Sequence, residues 1–187
     1  MSARRSLEWI LVPARSAGMR LLALLGLLLP CVACDQAAKA LAVSHLKGQG
    51  TFHVVDGLFR LTYAENPGAF LGLGHALPDV LRTAMFAVGV ALVLGVLAFV
   101  LVKRNTAPAM FLGLALIVAG GVGNLVDRVL RPGRRVVDFA VLGIGPVHTG
   151  VFNVADVQIM AGAAMVAFGS MRRKSSSSEA PTSTSTA

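Results

Sequence analysis

The chain has 187 residues, of which 55% are hydrophobic and only 14% are charged, and its formal net charge at pH 7 is +8. A water-soluble domain of this length needs a larger share of charged residues to cover its surface, so the composition excludes one and indicates an integral membrane protein. The positive charge suits basic segments beside membrane helices and anionic lipid headgroups, and because the sequence holds no nucleic-acid-binding motif we expect no nucleic-acid partner.

Four apolar runs are long enough to cross the hydrocarbon core of a membrane, which takes about 20 residues in a helix. The runs cover residues 19–43, 80–102, 109–126 and 151–169. They predict an all-α membrane protein with a single domain of four transmembrane helices, residues 19–171. Residues 1–18 form a basic arm before this domain. Residues 172–187 are first basic and then rich in Ser and Thr, and the Ser/Thr-rich part from residue 175 predicts a disordered tail.

Clusters of Lys and Arg predict which side of the membrane each helix end faces, because these residues are enriched in cytoplasmic segments. The basic arm, the turn with Lys103 and Arg104, and the basic residues 172–174 all lie on one side if four helices span. Both termini are therefore predicted to be cytoplasmic. Several arginines of the second outer loop break this rule, and we predict that they contact lipid headgroups: Arg131, Arg134 and Arg135.

Two charged residues, Asp35 and Lys39, interrupt the first apolar run. They are four residues apart, so they share one face of the helix. Two interpretations remain open. The residues form an ion pair that lowers the cost of membrane insertion, or they orient another polar group at a functional site.

The first outer loop, residues 44–79, contains a strong hairpin signal. The dipeptide of Asp56 and Gly57 lies between two β-prone segments, residues 52–55 and 58–63. The Gly-rich segment 65–74 follows and predicts a shaped loop. Because an isolated hairpin is weakly stable, we expect this one to rest on the membrane or on the second outer loop.

The third run ends in Asn124, Asp127 and Arg128, which share one helix face. These residues either cap and tie down the helix end or hold a reactive carboxylate in place. The second outer loop, residues 127–150, is β-branched and extended around Asp138. Together the two outer loops predict a small β-rich cradle over the extracytoplasmic helix ends.

The fourth run opens with Asn153 and Asp156, which are three residues apart and so also share a face. A carboxylate at the edge of a bilayer is costly, so an unexplained one is a functional-site hypothesis. A structural hydrogen bond to a neighbouring helix is the plainer alternative for Asp156. The hydrophobic setting of Asp138 makes it a second candidate for a functional carboxylate. Two carboxylates that converge would suit acid–base chemistry at a membrane surface.

Other chemistries fit the sequence poorly. The four histidines are scattered without the spacing of metal ligands, and no Gly-Lys-Ser/Thr phosphate loop is present. The apolar runs offer almost no serine that could act as a nucleophile within a helix. We therefore expect neither a metal nor an organic cofactor.

Five short segments, taken together and in order, resemble one known family, the bacterial lipoprotein signal peptidases or signal peptidase II. The segments are Asp35-Gln36-Ala37-Ala38-Lys39, Asn66-Pro67-Gly68-Ala69-Phe70, Gly123-Asn124-Leu125-Val126-Asp127-Arg128, Val137-Asp138-Phe139 and Phe152-Asn153-Val154-Ala155-Asp156. The similarity covers roughly residues 20–173. It implies an intramembrane aspartic endopeptidase of the bacterial inner membrane, which removes the signal peptide from prolipoproteins just before a diacylglyceryl-modified cysteine.

The resemblance places the catalytic pair on Asp138 and Asp156, where one carboxylate would take a proton from water and the other would polarise the scissile carbonyl. It implies that further residues support the site or bind substrate: Asp35, Lys39, Asn66, Gly68, Asn124, Asp127, Arg128 and Asn153. It also implies inhibition by globomycin-type cyclic lipopeptides. The expected partners are prolipoproteins and membrane phospholipids, and we expect a monomer. One departure concerns the first outer loop, where an alanine of the usual family pattern is missing before Phe70.

Two other functions are compatible with membrane-embedded carboxylates. A proton-coupled transporter would use Asp35, Lys39, Asp127 and Asp156 as a polar pathway. An inactive assembly subunit would leave Asp138 and Asp156 without a function. A pathway needs polar residues through the full depth of the membrane. The polar residues instead gather toward one side, and the inner half of the fourth run is apolar, which favours a site that opens at the surface.

Overall fold

The computed structural model describes residues 16–68, 79–144 and 146–178. The helices are α1 (Ala17–Leu46), α2 (Asp79–Lys103), α3 (Pro108–Leu130) and α4 (Val154–Ser178). The strands are β1 (Phe52–Val55), β2 (Phe59–Asn66), β3 (Val136–Ile144) and β4 (Val147–His148). All four helices are long and apolar enough to cross a membrane, which confirms the predicted spans.

The helices pack around α3, which contacts each of the other three. Its glycines allow α4 to come close, because a Cβ atom at Gly113 would lie 2.9 Å from the backbone oxygen of Gly162 on α4. A cluster of buried apolar residues fills one end of the bundle, near the start of α1 and the turn between α2 and α3: Leu24, Leu101, Ala115 and Val118. At this end Arg20 joins α1 to α2, since its Nε donates to the carbonyl of Val102 at 2.8 Å.

The two outer loops combine into one antiparallel sheet with the strand order β1-β2-β3-β4. The Asp56-Gly57 dipeptide forms the turn of the hairpin, as predicted, and the second strand of that hairpin pairs with β3. In this register Ala64 lies opposite Asp138, and Asn66 lies opposite Val136. The sheet confirms the predicted combination of four membrane helices with a small β-rich cradle.

The sheet is fixed to the bundle through one of its faces. Val137, Leu61, Tyr63 and Phe139 pack against Ala42 and Leu46 at the end of α1. Side chains alternate along a strand, so Asp138 projects from the opposite face of β3. The segment before α4 adds to this arrangement because Phe152 and Ala140 exchange backbone hydrogen bonds of 2.8 and 2.9 Å. The strand that carries Asp138 is thereby held beside the start of α4.

Both ends of the fourth helix differ from the prediction. The apolar run begins at residue 151, but α4 begins at Val154, so Asp156 lies in the first turn of the helix. The disordered, Ser/Thr-rich tail was predicted from residue 175, whereas the helix continues through Ser178. Extending an existing helix costs far less than nucleating a new one, and Arg and Lys have good helix propensity.

Candidate active site

Asp156 and Asn153 bond to each other at the start of α4. The side-chain oxygen of Asn153 accepts from the backbone N–H of Asp156 at 3.0 Å, and Asp156 Oδ2 accepts from the backbone N–H of Asn153 at 3.1 Å. This reciprocal arrangement is a capping box, which satisfies two N–H groups that the helix itself leaves unpaired. The cap explains why the helix begins at Val154. It also holds the Asp156 carboxylate at the positive end of the helix dipole.

Asp138 is buried, with only 4% of its surface exposed. Its Oδ2 accepts from Asn66 Nδ2 at 3.1 Å, and its Oδ1 accepts from Asn153 Nδ2 at 2.6 Å. Burial away from water raises the pKa of Asp138 to about 6, and the negative charge of Asp156 adds to this rise. The hydrogen bonds from Asn66 and Asn153 oppose it, as does the charge of Lys39. Asp138 therefore retains its proton at a much higher pH than an ordinary aspartate does.

Two amide side chains connect the two aspartates. Asn153 Nδ2 bonds to Asp138 and also donates to Asn124 Oδ1 at 3.1 Å. The Nδ2 atom of Asn124 then donates to Asp156 Oδ1 at 2.9 Å. The structure thus brings together two carboxylates from a strand and a helix and joins them through neutral hydrogen-bonding groups.

Lys39 is fully buried beside the hydrogen bonds that join the two aspartates. Its ammonium group contacts Asp35 Oδ2 at 2.8 Å, Asp127 Oδ2 at 3.0 Å and Asn124 Oδ1 at 2.9 Å. These three acceptors match the three N–H donors of a lysine. The predicted ion pair of Asp35 and Lys39 is present, and the same ammonium group also orients a polar residue of the site.

Two residues of this buried network were not among the predicted site residues. Gln36 Nε2 donates to Asp127 Oδ1 at 3.1 Å and to the carbonyl of Gly123 at 3.0 Å. Arg131 Nε donates to the same Asp127 oxygen at 2.8 Å. Arg131 is the C-cap residue of α3 and lies four residues after Asp127, a spacing that favours this ion pair. Its contact with lipid headgroups stays a prediction.

Arg128 and Gly68 lie at the rim of the site. Arg128 Nη1 donates to the backbone carbonyl of Asn124 at 3.1 Å. Gly68 has a φ of +74°, and its N–H donates to Asn66 Oδ1 at 2.9 Å. A Cβ atom at this glycine would lie 3.2 Å from Arg128 Nη2, so the absent side chain leaves room for the guanidinium group. The shortened segment with Ala69 and Phe70 lies outside the described residues.

Two grooves adjoin the site. The first has a volume of about 600 Å³ and is lined mainly by apolar side chains, including Leu142, Phe152 and Met160, with Asp156 on its wall. The second has a volume of about 430 Å³ and is lined by Asn66, Asn124 and Arg128 together with apolar residues of α2 and α4. An apolar space and a partly polar space therefore both reach the site.

Comparison with known proteins gives the same result as the five sequence segments. Residues 27–172 match the model of the family described as signal peptidase (SPase) II. The chain belongs to the signal peptidase II family. The lipoprotein signal peptidase of Syntrophus aciditrophicus is 38% identical over 129 residues, which cover 68% of this chain and 79% of the relative. That of Pelodictyon phaeoclathratiforme is 36% identical over 162 residues, which cover 82% and 91%.

The fold of this signal peptidase II has a counterpart among solved structures. A bacterial membrane enzyme superimposes with a TM-score of 0.70 and 25% identity, covering 85% of this chain and 93% of the other. The family and the fold confirm that the protein is a multi-pass membrane peptidase that cleaves signal peptides from prolipoproteins. Its aspartic mechanism follows from the family.

Proposed function

We propose that this signal peptidase II uses Asp138 and Asp156 as its catalytic pair, and that it cuts diacylglyceryl-modified prolipoproteins just before the lipidated cysteine. The observation that carries the proposal is the convergence of two carboxylates from β3 and α4 on the same pair of asparagine side chains. The resemblance of the five sequence segments supports the same two residues. The remaining polar residues would support this pair or contact the substrate.

The surroundings of the two carboxylates assign different roles to them. Two carboxylates in one site share a single proton, because both cannot ionise easily. Burial raises the pKa of Asp138 to about 6, so Asp138 is the member of the pair that holds this proton. Asp156 lies at the N-terminus of α4, where one of its carboxylate oxygens accepts from the backbone N–H of Asn153 at 3.1 Å. Asp156 is therefore the general base, and Asp138 is the general acid.

The reaction follows from these roles. Asp156 takes a proton from a water molecule, whose oxygen forms a bond to the scissile carbonyl carbon, while Asp138 gives its proton to the carbonyl oxygen. The tetrahedral intermediate then returns that proton to Asp138 as the carbon–nitrogen bond breaks. The proton held on Asp156 passes to the leaving amine of the cysteine. The products are the free carboxyl group of the signal peptide and the mature lipoprotein, and both aspartates recover their starting states.

The apolar groove suits a lipidated substrate. Leu142 projects from the same face of β3 as Asp138 and lines the groove together with Met160 of α4, which is 71% exposed. Ile144 and Val147, both 76% exposed, extend this apolar edge beyond the helices. An edge of this kind is stable when it is immersed in the bilayer interface. The scissile bond can then reach Asp156 while the acyl chains stay among the membrane phospholipids.

Orientation and location in the cell belong to the same proposal. The basic residues Lys103 and Arg104 lie at the end of the bundle opposite the site, and by the distribution of Lys and Arg that end faces the cytoplasm. Both termini would then be cytoplasmic, and the site would open on the extracytoplasmic face of the bacterial inner membrane. We propose that the protein acts there as a monomer and binds globomycin-type inhibitors at the same two aspartates.

The lower part of the bundle argues against a transport pathway. The cluster of Leu24, Leu101, Ala115 and Val118 packs between three helices on the cytoplasmic side of the Lys39 network. Close-packed apolar side chains of this kind present no hydrogen-bonding groups to a moving proton. The polar residues thus form a site at one surface of the membrane.

The test is cleavage of a diacylglyceryl-modified prolipoprotein by the purified protein in detergent. Wild type should release the signal peptide, and Asp138→Asn and Asp156→Asn should each lower kcat by about 10²–10⁴-fold, because each removes one partner of the proton transfer. Asp56→Asn is the matched control, since Asp56 is exposed in the hairpin turn, and it should cleave as wild type does. Near-normal turnover by either dyad variant would refute the assignment of the pair.

A further inference from the structure

We propose that Lys39 is a positioning residue that sets the separation of the two catalytic aspartates by clamping the backbone beside each of them. The proposal rests on the catalytic pair proposed above. It assigns Asp35 and Asp127 as the two arms of one clamp and distinguishes both from the carboxylates that react.

The first arm reaches the helix that carries Asp156. Lys39 holds Asp35 through Oδ2 at 2.8 Å, and the other oxygen of Asp35 accepts from the backbone N–H of Ala155 at 2.9 Å. Ala155 directly precedes Asp156. A Cβ atom at Gly123 would lie only 2.7 Å from the Asp35 carboxylate, so a glycine on α3 leaves the space through which this arm passes.

The second arm reaches the strand that carries Asp138. Lys39 contacts Asp127 Oδ2 at 3.0 Å, and the same oxygen accepts from the backbone N–H of Val137 at 3.1 Å. Val137 directly precedes Asp138. One ammonium group is thus linked by two arms, each a single carboxylate, to the backbone next to each catalytic aspartate.

The clamp is stiff because its charged members have no access to water. Asp35, Lys39 and Asp127 are all 0% exposed, and their attraction is strong in a low-dielectric interior. Removing one member of a buried ion network leaves the others uncompensated. Any movement of α4 away from β3 therefore has to break a buried ion pair or a hydrogen bond to a charged group.

The separation of the aspartates controls how the pair titrates. Two nearby carboxylates share a proton, and the gap between their two apparent pKa values grows as they come closer. The charged groups that act on Asp138 are Asp156 from α4, Lys39 from α1 and Arg128 from α3. A substitution in the clamp acts in two distinguishable ways. The lost charge shifts both apparent pKa values together, and a changed distance alters the gap between them.

The experiment measures the pH profile of kcat/KM on a lipidated prolipoprotein for Lys39→Met, Asp35→Asn and Asp127→Asn. Loss of the positive charge should shift both limbs of the profile to higher pH in Lys39→Met, and loss of a negative charge should shift both to lower pH in the two Asn variants. In all three variants the gap between the limbs should narrow. The kcat value should fall about 100-fold, as expected when reacting groups are misplaced by about 1 Å.

Leu101→Ala is the matched control, because Leu101 is fully buried in the apolar cluster at the other end of the bundle. It should lower the thermal midpoint as the clamp variants do, and it should leave both limbs of the profile in place. If both limbs of the pH profile shift together in the folded variants and the gap between the limbs does not narrow, the clamp proposal is refuted. Lys39 would then act only through its charge or as a structural residue. If Lys39→Met does not fold, the two Asn variants decide between the same outcomes. An inactive wild type would instead refute the proposed function.

Discussion

Asn153 offers a prediction in which stability and catalysis can be separated. Its side-chain oxygen caps α4, and its amide nitrogen bonds to Asp138 Oδ1 at 2.6 Å and to Asn124 Oδ1 at 3.1 Å. Asn153→Ala removes both functions. Asn153→Ser keeps an oxygen that can cap the helix, since serine is a favoured N-cap residue, but a serine side chain is too short to reach Asp138.

The expected sizes follow from these contacts. Loss of an N-cap costs about 1 kcal/mol, so Asn153→Ala should lower the thermal midpoint while Asn153→Ser stays close to wild type. A hydrogen bond between two neutral groups, such as the Asn153 amide and protonated Asp138, contributes about 0.5–1.5 kcal/mol. At about 1.4 kcal/mol for each factor of ten, both variants should lose about 2- to 10-fold in kcat.

The pH profile gives an independent check on the same residue. The hydrogen bond from Asn153 lowers the pKa of Asp138, so its removal should raise that pKa above about 6 and move the alkaline limb of activity to higher pH. The assay is gel-based cleavage of a lipidated prolipoprotein, beside thermal unfolding in the same detergent. Wild-type kcat and an unmoved alkaline limb in Asn153→Ser would show that Asn153 serves only as a helix cap.

Two further predictions concern Asp138 and Gly68. The pKa of Asp138 rises on folding from 3.8 to about 6, so between these pH values the unfolded chain loses its proton first and the folded state loses stability as pH rises. After allowance for one lost hydrogen bond, Asp138→Asn should therefore stabilise the inactive protein by about 2 kcal/mol at pH 7–8. In thermal unfolding this gain should vanish near pH 4, and a gain that grew toward acid pH would contradict the assignment. Gly68→Ala introduces a Cβ atom 3.2 Å from Arg128 Nη2 at a φ of +74°. At Gly57 the φ is also +74°, but an added Cβ atom would have no neighbour within 4 Å. Gly68→Ala and Gly57→Ala should both lose about 1–2 kcal/mol of stability. Only Gly68→Ala should also raise KM.

Much of the fold is encoded in local patterns. Hydropathy predicts each of the four spans, and the Asp-Gly dipeptide predicts the hairpin turn. The start of α4 was misplaced because the apolar run continues back to residue 151. A local signal was nevertheless available, since Asn153 and Asp156 have the three-residue spacing of a capping box. The pairing of β2 with β3 joins segments that are distant in the sequence, and no local pattern sets such a register.

The sequence predicts the arrangement of the site less well than it predicts the fold. Resemblance to a family suggested which polar residues belong together, but composition and spacing cannot tell which carboxylate faces which donor. Arg131 illustrates the limit. Its spacing from Asp127 favours an ion pair, yet the neighbouring arginines Arg134 and Arg135 made lipid headgroups an equally natural partner. Only the packing of α3 against α1 and β3 shows that Asp127 is buried and needs the charge of Lys39.

The two asparagines between the clamp and the aspartates explain how a lysine can lie so near a general base. An ammonium group in direct contact with Asp156 would pair with its carboxylate and oppose the transfer of a proton from water to it. Asn124 prevents that contact, because its oxygen accepts from Lys39 at 2.9 Å and its nitrogen donates to Asp156 at 2.9 Å. An amide does not titrate, so it transmits position without exchanging protons. Replacing Asn124 with aspartate would place a third carboxylate between the clamp and the pair. That variant should lose activity even though its side chain has nearly the same size.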